Sequence, residues 1–192
     1  MDKLCGMDEA GRGPFAGPLV VAGVVLKKPI KELDDSKKLT EKKREALFDT
    51  IKQNSFFHIV FKDAKTIDKK GLSWCLKTSI EEIMKTLKAN EYLMDGNTSF
   101  GISNLNHMIK ADTKIKEVSA ASILAKVSRD RYMCEISSKY PNYDFHKHKG
   151  YGTKVHIEAL KEYGYCDLHR RSFKIKQLEG FELEKFQQPT LF

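Results

Sequence analysis

Residues 7–18, MDEAGRGPFAGP, set two adjacent carboxylates, Asp8 and Glu9, ahead of an arginine flanked by Gly11 and Gly13, and then run into the valine-rich stretch LVVAGVVL. This juxtaposition limits the fold more than any other feature. A valine-rich run bounded by glycine and proline reads as a buried strand, and LCGMDE, apolar at its start and closed by glycine, reads as another. The two predict a hairpin with a long glycine-rich turn. Neighbours in a regular strand point to opposite faces, so Asp8 and Glu9 can share a site only at a strand end, which the glycines supply. Carboxylates at contact distance repel by roughly 1 to 4 kcal/mol, depending on the local dielectric. A fold that keeps them close therefore has a cation to offer.

The rest of the chain alternates helix and strand. Thr40 is placed to cap a helix over EKKREALFDTIKQ, with Leu47 and Ile51 one turn apart on its inner face. FFHIVFKDA reads as a third strand, GLSWCLKTSIEEIMKTLKAN as an amphipathic helix, and EYLMDG as a short strand running into a turn at Gly96. SAASILAKVSRDRYMCEISSKY predicts a long helix with small residues on one face, and Thr153 to Tyr163, closed by Gly164, a further one. Beyond Phe173 the pattern dissolves into polar and charged residues. The order is that of an α/β sandwich with a mixed sheet.

Composition excludes several classes. The 192 residues suffice for one domain with an appendage and a real core, without disulfides or structural metal. Cys5, Cys75, Cys134 and Cys166 are scattered with no CxxC pair, so neither a zinc knuckle nor a disulfide framework is expected, and a reducing, cytoplasmic setting is. The longest apolar run, FAGPLVVAGVVL, has 12 residues and contains a proline, too short for a membrane span. The start MDKLCGMDEA has no basic segment followed by an apolar one, so no secretory signal is expected. A formal charge of +8, from 34 basic and 26 acidic residues, suits a polyanionic partner such as nucleic acid.

Two further acids fall at element edges: Asp95, where LMD gives way to GNTSFG, and Asp112, in the turn ADTK before the long helix. Open α/β sheets gather ligands at strand ends. Four carboxylates there, with no histidine or cysteine at ligand spacing, point to a hard cation bound through oxygen, Mg²⁺ or Mn²⁺. The glycines around Arg12 let backbone approach a phosphate or sugar closely, and the guanidinium adds a fork of donors. Known phosphate loops do not fit. No G-x-x-x-x-G-K-[ST] occurs, and Gly11, Gly13 and Gly17 miss the dinucleotide spacing and precede a strand.

DEAGRGPFAGPLVVAGVV, DDSKKLTEKKR, MDGN, KADTKIKEVSAASILAKVSRDR, HKGYGTKVH and HRRSF, in this order and spacing, resemble the ribonuclease HII family from about residue 4 to residue 173. The resemblance implies an RNase H-like fold, a central mixed five-stranded sheet flanked by helices with a small C-terminal helical extension. It implies a catalytic core over residues 1–139, an extension completing the substrate site over 140–180, and a tail over 181–192. It further implies endonucleolytic hydrolysis of the RNA strand of RNA/DNA hybrids, and cleavage 5′ to ribonucleotides embedded in duplex DNA, leaving 3′-hydroxyl and 5′-phosphate ends. Two divalent ions, Mg²⁺ or Mn²⁺, would be held with substrate by Asp8, Glu9, Asp95 and Asp112. Asp130 is read instead as an ion-paired surface residue beside Arg129 and Arg131. Arg12 separates the chain from ribonuclease HIII, which usually has lysine in this turn.

The ribonucleotide sensor implied is the turn of Gly11, Arg12 and Gly13 together with Tyr151. The 2′-hydroxyl is what separates RNA from DNA, and a tight turn can offer it backbone partners while a tyrosine ring packs on the next sugar. Lys37, Lys38, Lys126, Lys149, Arg170 and Arg171 are candidates for the duplex backbone, where contacts position without reading sequence. Ser119, Ser122 and His169 stand between support and contact, and the His146–His148 pair, lacking a third ligand, is read as structural or phosphate-facing. The terminal QPTLF has the Q-x-x-L-F form of sliding-clamp ligands. The chain is read as a monomer with no membrane partner. A catalytically silent nucleic-acid-binding module leaves the four acids unexplained, and a DNA-directed nuclease leaves Gly11–Gly13 and Tyr151 unexplained.

Overall fold

The computed structural model describes residues 3–33 and 40–180. Strands β1 (Leu4–Ala10) and β2 (Leu19–Leu26) form an antiparallel hairpin with Ala10 opposite Val20, so residues 11–18 make the glycine-rich turn. Helix α1 (Glu41–Asn54) is capped by Thr40, whose hydroxyl accepts from the Lys43 amide at 3.4 Å. Strand β3 (Ser55–Lys62) pairs antiparallel with β2 and stops short of the expected Ala64. The reason is local: Asp63 accepts from the Thr66 amide at 2.7 Å and starts a helix, α2 (Ala64–Lys70), which the sequence pattern did not separate from its neighbours. Gly71, at φ 81°, divides α2 from α3 (Leu72–Thr86).

Strand β4 (Glu91–Asp95) adds to the hairpin's sheet beside β1 and parallel to it, and β5 (Asn106–Met108) lies parallel beyond it. The five-stranded mixed sheet has the order β3-β2-β1-β4-β5. Helix α4 (Lys116–Ile136) begins three residues before the expected Ser119. It is followed by α5 (Phe145–His148) and α6 (Lys154–Tyr163), the latter capped by Thr153 and closed by Gly164 as anticipated. Among the described residues no helix is long and apolar enough to cross a membrane.

β2 explains the two-sided packing. Leu19, Val21 and Val25 face α2 and α3 with Leu76, Ile80 and Ile83, while Val20, Ala22 and Val24 face α1 and α4 with Ile51, Ala121 and Leu124. Both faces are apolar because helices cover both, which turns the strand into a continuous hydrophobic run. The small residues of α4 permit close approach. A Cβ built on Gly6 would lie 2.3 Å from the Val118 backbone nitrogen, so β1 and the start of α4 touch through main chain. Gly6→Ala must push α4 off the sheet. It should cost about 1 to 3 kcal/mol, the scale of overpacking a core, read as a lower urea midpoint. An unchanged midpoint would contradict this contact. On the other side of the turn, Tyr143, Phe145, Ala159 and Cys166 pack with Ala16 and Met133, joining the C-terminal segments to the hairpin loop.

Candidate active site

The acids are brought together by strand register. Met7 of β1 pairs with Met94 of β4 in parallel, so the next residues along, Asp8 and Asp95, are neighbours about 4.8 Å apart across the two strands, Asp95 at the end of β4 and Asp8 two residues before the end of β1, which stays paired with β2 through Ala10. Asp8 shares the face of Gly6, toward α4, where the Ser122 side chain hydrogen-bonds to it. The Glu9 amide donates to Asp8 Oδ1 at 2.8 Å. Glu9 turns the other way, and its Oε1 accepts from Arg12 Nη1 at 3.1 Å. Asp95 Oδ1 accepts from the Ala111 amide at 2.8 Å, which ties the end of β4 to the short 3₁₀ turn Ala111–Thr113 carrying Asp112.

Electrostatically the cluster is short of positive charge. Burial, then the neighbouring Glu9 carboxylate, pushes Asp8 up to about 8, and burial likewise raises Glu9 even against the opposing pull of Arg12. Asp95 adds to the repulsion felt by both. Glu9 Oε2 is buried and has no hydrogen-bond partner. An unsatisfied buried carboxylate oxygen is costly, and an all-oxygen donor set is what a hard divalent cation takes. These residues therefore fit Mg²⁺ or Mn²⁺. Among the described residues no three His, Cys, Asp or Glu side chains are already drawn close enough to hold an ion, in keeping with the mutual repulsion of like charges.

Tyr151 is 42% exposed, with Lys126 Nζ and the Arg129 guanidinium 5.7 and 5.6 Å from its ring centre. Its segment is fastened to the hairpin turn: the Phe15 amide donates to Gly150 O at 2.9 Å, and a Cβ on Gly150, at φ 82°, would strike Ala16 O. Lys149 is half-buried and its Nζ donates to His146 O. Arg171 is exposed over the Tyr165 ring. Lys37, Lys38 and the QPTLF tail lie outside the described residues.

One expectation is revised, and the open ones are resolved. Arg170 is fully buried rather than facing a duplex: its Nε donates to Gly17 O at 2.9 Å and its Nη1 to Arg12 O at 3.1 Å. Asp130 is ion-paired as expected, its partner being Lys126 at 2.9 Å one helical turn back, while Arg131 pairs with Glu45 and Arg129 is buried. His148 is a core residue, its Nε2 bonded to Tyr143 O at 2.7 Å, and His169 is likewise buried and bonded to His156. Arg129 escaped sequence reading as a site residue. Its position on the α4 stripe of Val118, Ser122, Ala125 and Met133 was the available clue, because that stripe faces the hairpin.

A mixed sheet flanked by helices, with carboxylates near the adjoining ends of β1 and β4 and beside the start of α4, is an RNase H-like nuclease architecture. The family model for ribonuclease HII matches residues 5–176. Ribonuclease HII of Aliarcobacter butzleri is 67% identical over 185 residues, covering 95% of this chain and 96% of that protein. Ribonuclease H2 of Pyrococcus horikoshii superposes with a TM-score of 0.77 at 28% identity, covering 95% of this chain and 98% of that one. The Archaeoglobus fulgidus enzyme, solved as a PCNA:RNase HII complex, gives 0.73 at 30% identity, with 83% and 86% covered. The chain belongs to the ribonuclease HII family and is an endoribonuclease of the RNase H type.

Proposed function

We propose that this endoribonuclease cuts the RNA strand of RNA/DNA hybrids and the phosphodiester 5′ to a ribonucleotide embedded in duplex DNA, leaving 3′-hydroxyl and 5′-phosphate ends. Asp8, Glu9, Asp95 and Asp112 are its metal-holding and catalytic carboxylates. The observation that carries the reading is the buried pair Asp8–Glu9 beside Asp95, with Glu9 Oε2 left without a partner. Two divalent ions, when bound with substrate, would supply an activated water and stabilise the departing 3′-oxygen. The chain's own residues set the frame. Ser122 and the Glu9 amide hold Asp8, the Ala111 amide holds Asp95, and Arg12 holds Glu9 by one oxygen, leaving the other buried and free to take a cation. The turn Gly11–Gly13 offers backbone groups to a 2′-hydroxyl, and the exposed ring of Tyr151 packs on the next sugar. Lys126, Lys149 and Arg171 supply backbone charge; Lys37 and Lys38 are proposed for the same role from sequence alone.

The test is a DNA duplex containing one ribonucleotide, an all-DNA duplex and a long hybrid, each with Mg²⁺ and with chelator. Cleavage of the first and third, restricted to Mg²⁺, is expected. Cleavage of the all-DNA duplex, or full activity in chelator, would overturn the reading. We further propose that the terminal QPTLF docks on a sliding clamp, as two apolar side chains in a groove. Deleting residues 188–192 should abolish clamp binding in a pull-down while leaving cleavage of a short duplex within about twofold, since the deletion removes none of the proposed catalytic or substrate-binding residues.

A further inference from the structure

Two guanidinium groups, Arg129 on α4 and Arg170 in HRRSF, are fully buried, which is rare for arginine unless it is paired. Arg129 makes three side-chain hydrogen bonds and Arg170 two, and every acceptor is a backbone carbonyl, none a carboxylate. Arg129 Nε donates to Pro18 O at 2.9 Å and Nη2 to Ala16 O at 3.0 Å, both in the hairpin turn. Its Nη1 crosses to Lys149 O at 2.9 Å, and the same guanidinium lies 5.6 Å from the centre of the Tyr151 ring. Arg170 grips the turn from the other side through Arg12 O and Gly17 O, and its Nη2 is buried without a partner. A Cβ on Gly11, at φ 95°, would fall 2.3 Å from Arg129 Nε, so the turn rests directly on this side chain.

Burying two like charges together is a poor way to gain stability, because each ion loses its hydration and the pair repel. Here both are spent on one short loop and on the segment that carries the tyrosine. We infer that Arg129 and Arg170 are positioning residues that set the distance between the Gly11–Gly13 turn and Tyr151, and through it the preference for a ribonucleotide–DNA junction over continuous RNA. Arg129 is the joint, since it alone of the two holds both pieces. The inference rests on the proposed sensing role of the turn and Tyr151. Lysine keeps the charge at these sites but lacks the planar fork that reaches several carbonyls at once.

The experiment compares kcat/KM on a duplex with one embedded ribonucleotide and on a long hybrid, for the unsubstituted protein, Arg129→Lys, Tyr151→Leu and the double variant, with folding followed by near-UV circular dichroism. Arg129→Lys should lower the single-ribonucleotide value about 10- to 100-fold, the scale of a 1 Å misplacement, and the hybrid value by less than about threefold. In the Tyr151→Leu background it should lower the ratio no further. Equal loss on both substrates, or full additivity with Tyr151→Leu, would overturn the inference. Should Arg129→Lys not fold, Arg170→Lys must shift the same ratio, and an unchanged ratio there is equally fatal. If the unsubstituted protein itself does not cut at the embedded ribonucleotide, the sensing reading fails first and the two failures are told apart.

Discussion

Asp8→Asn should lower cleavage of an RNA/DNA hybrid by roughly 10³-fold or more, the scale on which one preorganised electrostatic group acts, while leaving duplex binding within a few-fold. The substitution keeps the shape, and the neutral amide can still meet Ser122 and the Glu9 amide, but it removes the charge at the centre of the cluster. The same change should raise stability in metal-free buffer. Asp8 stands at about 8 in the folded chain against the ordinary 3.8, mainly through burial and then through Glu9. A raised carboxyl favours the fold below its unfolded value and loses that advantage as pH climbs through the folded one. The gain from Asn therefore grows between about pH 4 and 8. It should appear as a Tm higher by several degrees at pH 8 in chelator. Retained cleavage, or a Tm lowered at that pH, would contradict the assignment of Asp8 as a buried, charge-starved ligand. Stability given up at a site for the sake of chemistry is a common trade.

Acidification should unfold the C-terminal half of the site through its histidines. The Tyr151 carbonyl can only accept, so His156 Nδ1 carries a proton and donates to it at 2.9 Å. That leaves His156 Nε2 to accept from His169 Nε2 at 3.0 Å, and His169 Nδ1 to accept from the Cys166 amide at 2.9 Å. His148 stacks on His156 with ring centres 4.5 Å apart, its Nδ1 accepting from the Gly150 amide at 3.2 Å. Each ring is neutral, and a proton added to either His156 or His169 sets two N–H groups against each other. Burial lowers His156 to about 4; burial and then His156 lower His169 to about 3. An unfolded histidine titrates near 6.5, so the unfolded chain binds more protons below that pH, and stability falls from about pH 6.5 down toward 4. The loss is on the order of several kcal/mol for the cluster. Asp8 acts with the opposite sign over the same range, so the Asp8→Asn variant should show the steeper decline. A urea midpoint in that variant that stays flat between pH 7 and 5 would refute the neutral relay.

The two effects also show where the sequence was legible. The acids could be found because their signal is local: carboxylates beside glycines, at the ends of apolar runs, mark the approach to strand ends whatever the rest of the chain does. The valine run of β2 and the caps Thr40 and Thr153 were readable for the same reason, since strand pattern and capping depend on a few adjacent residues. Short elements were not. β5 has three residues, none of them buried, and α2 is hidden between a strand and a longer helix, with only Asp63 and Gly71 marking its limits.

By itself, then, the chain's order of residues determined an α/β sheet with Asp95 and Asp112 at element edges, while Asp8 and Glu9, expected at a strand end, lie within β1. It did not determine which cations meet them or lie inside. Arg170 read as a duplex-binding group, His148 and His169 were left open between structural support and contact, Arg129 had no assigned role, and all four are buried. The burial of the two arginines depends on carbonyls delivered from far along the chain: Pro18 lies 111 residues from Arg129, and Gly17 lies 153 from Arg170. A polar side chain is buried only where distant backbone satisfies it, and that match exists only once the sheet, the turn and the C-terminal segments have come together.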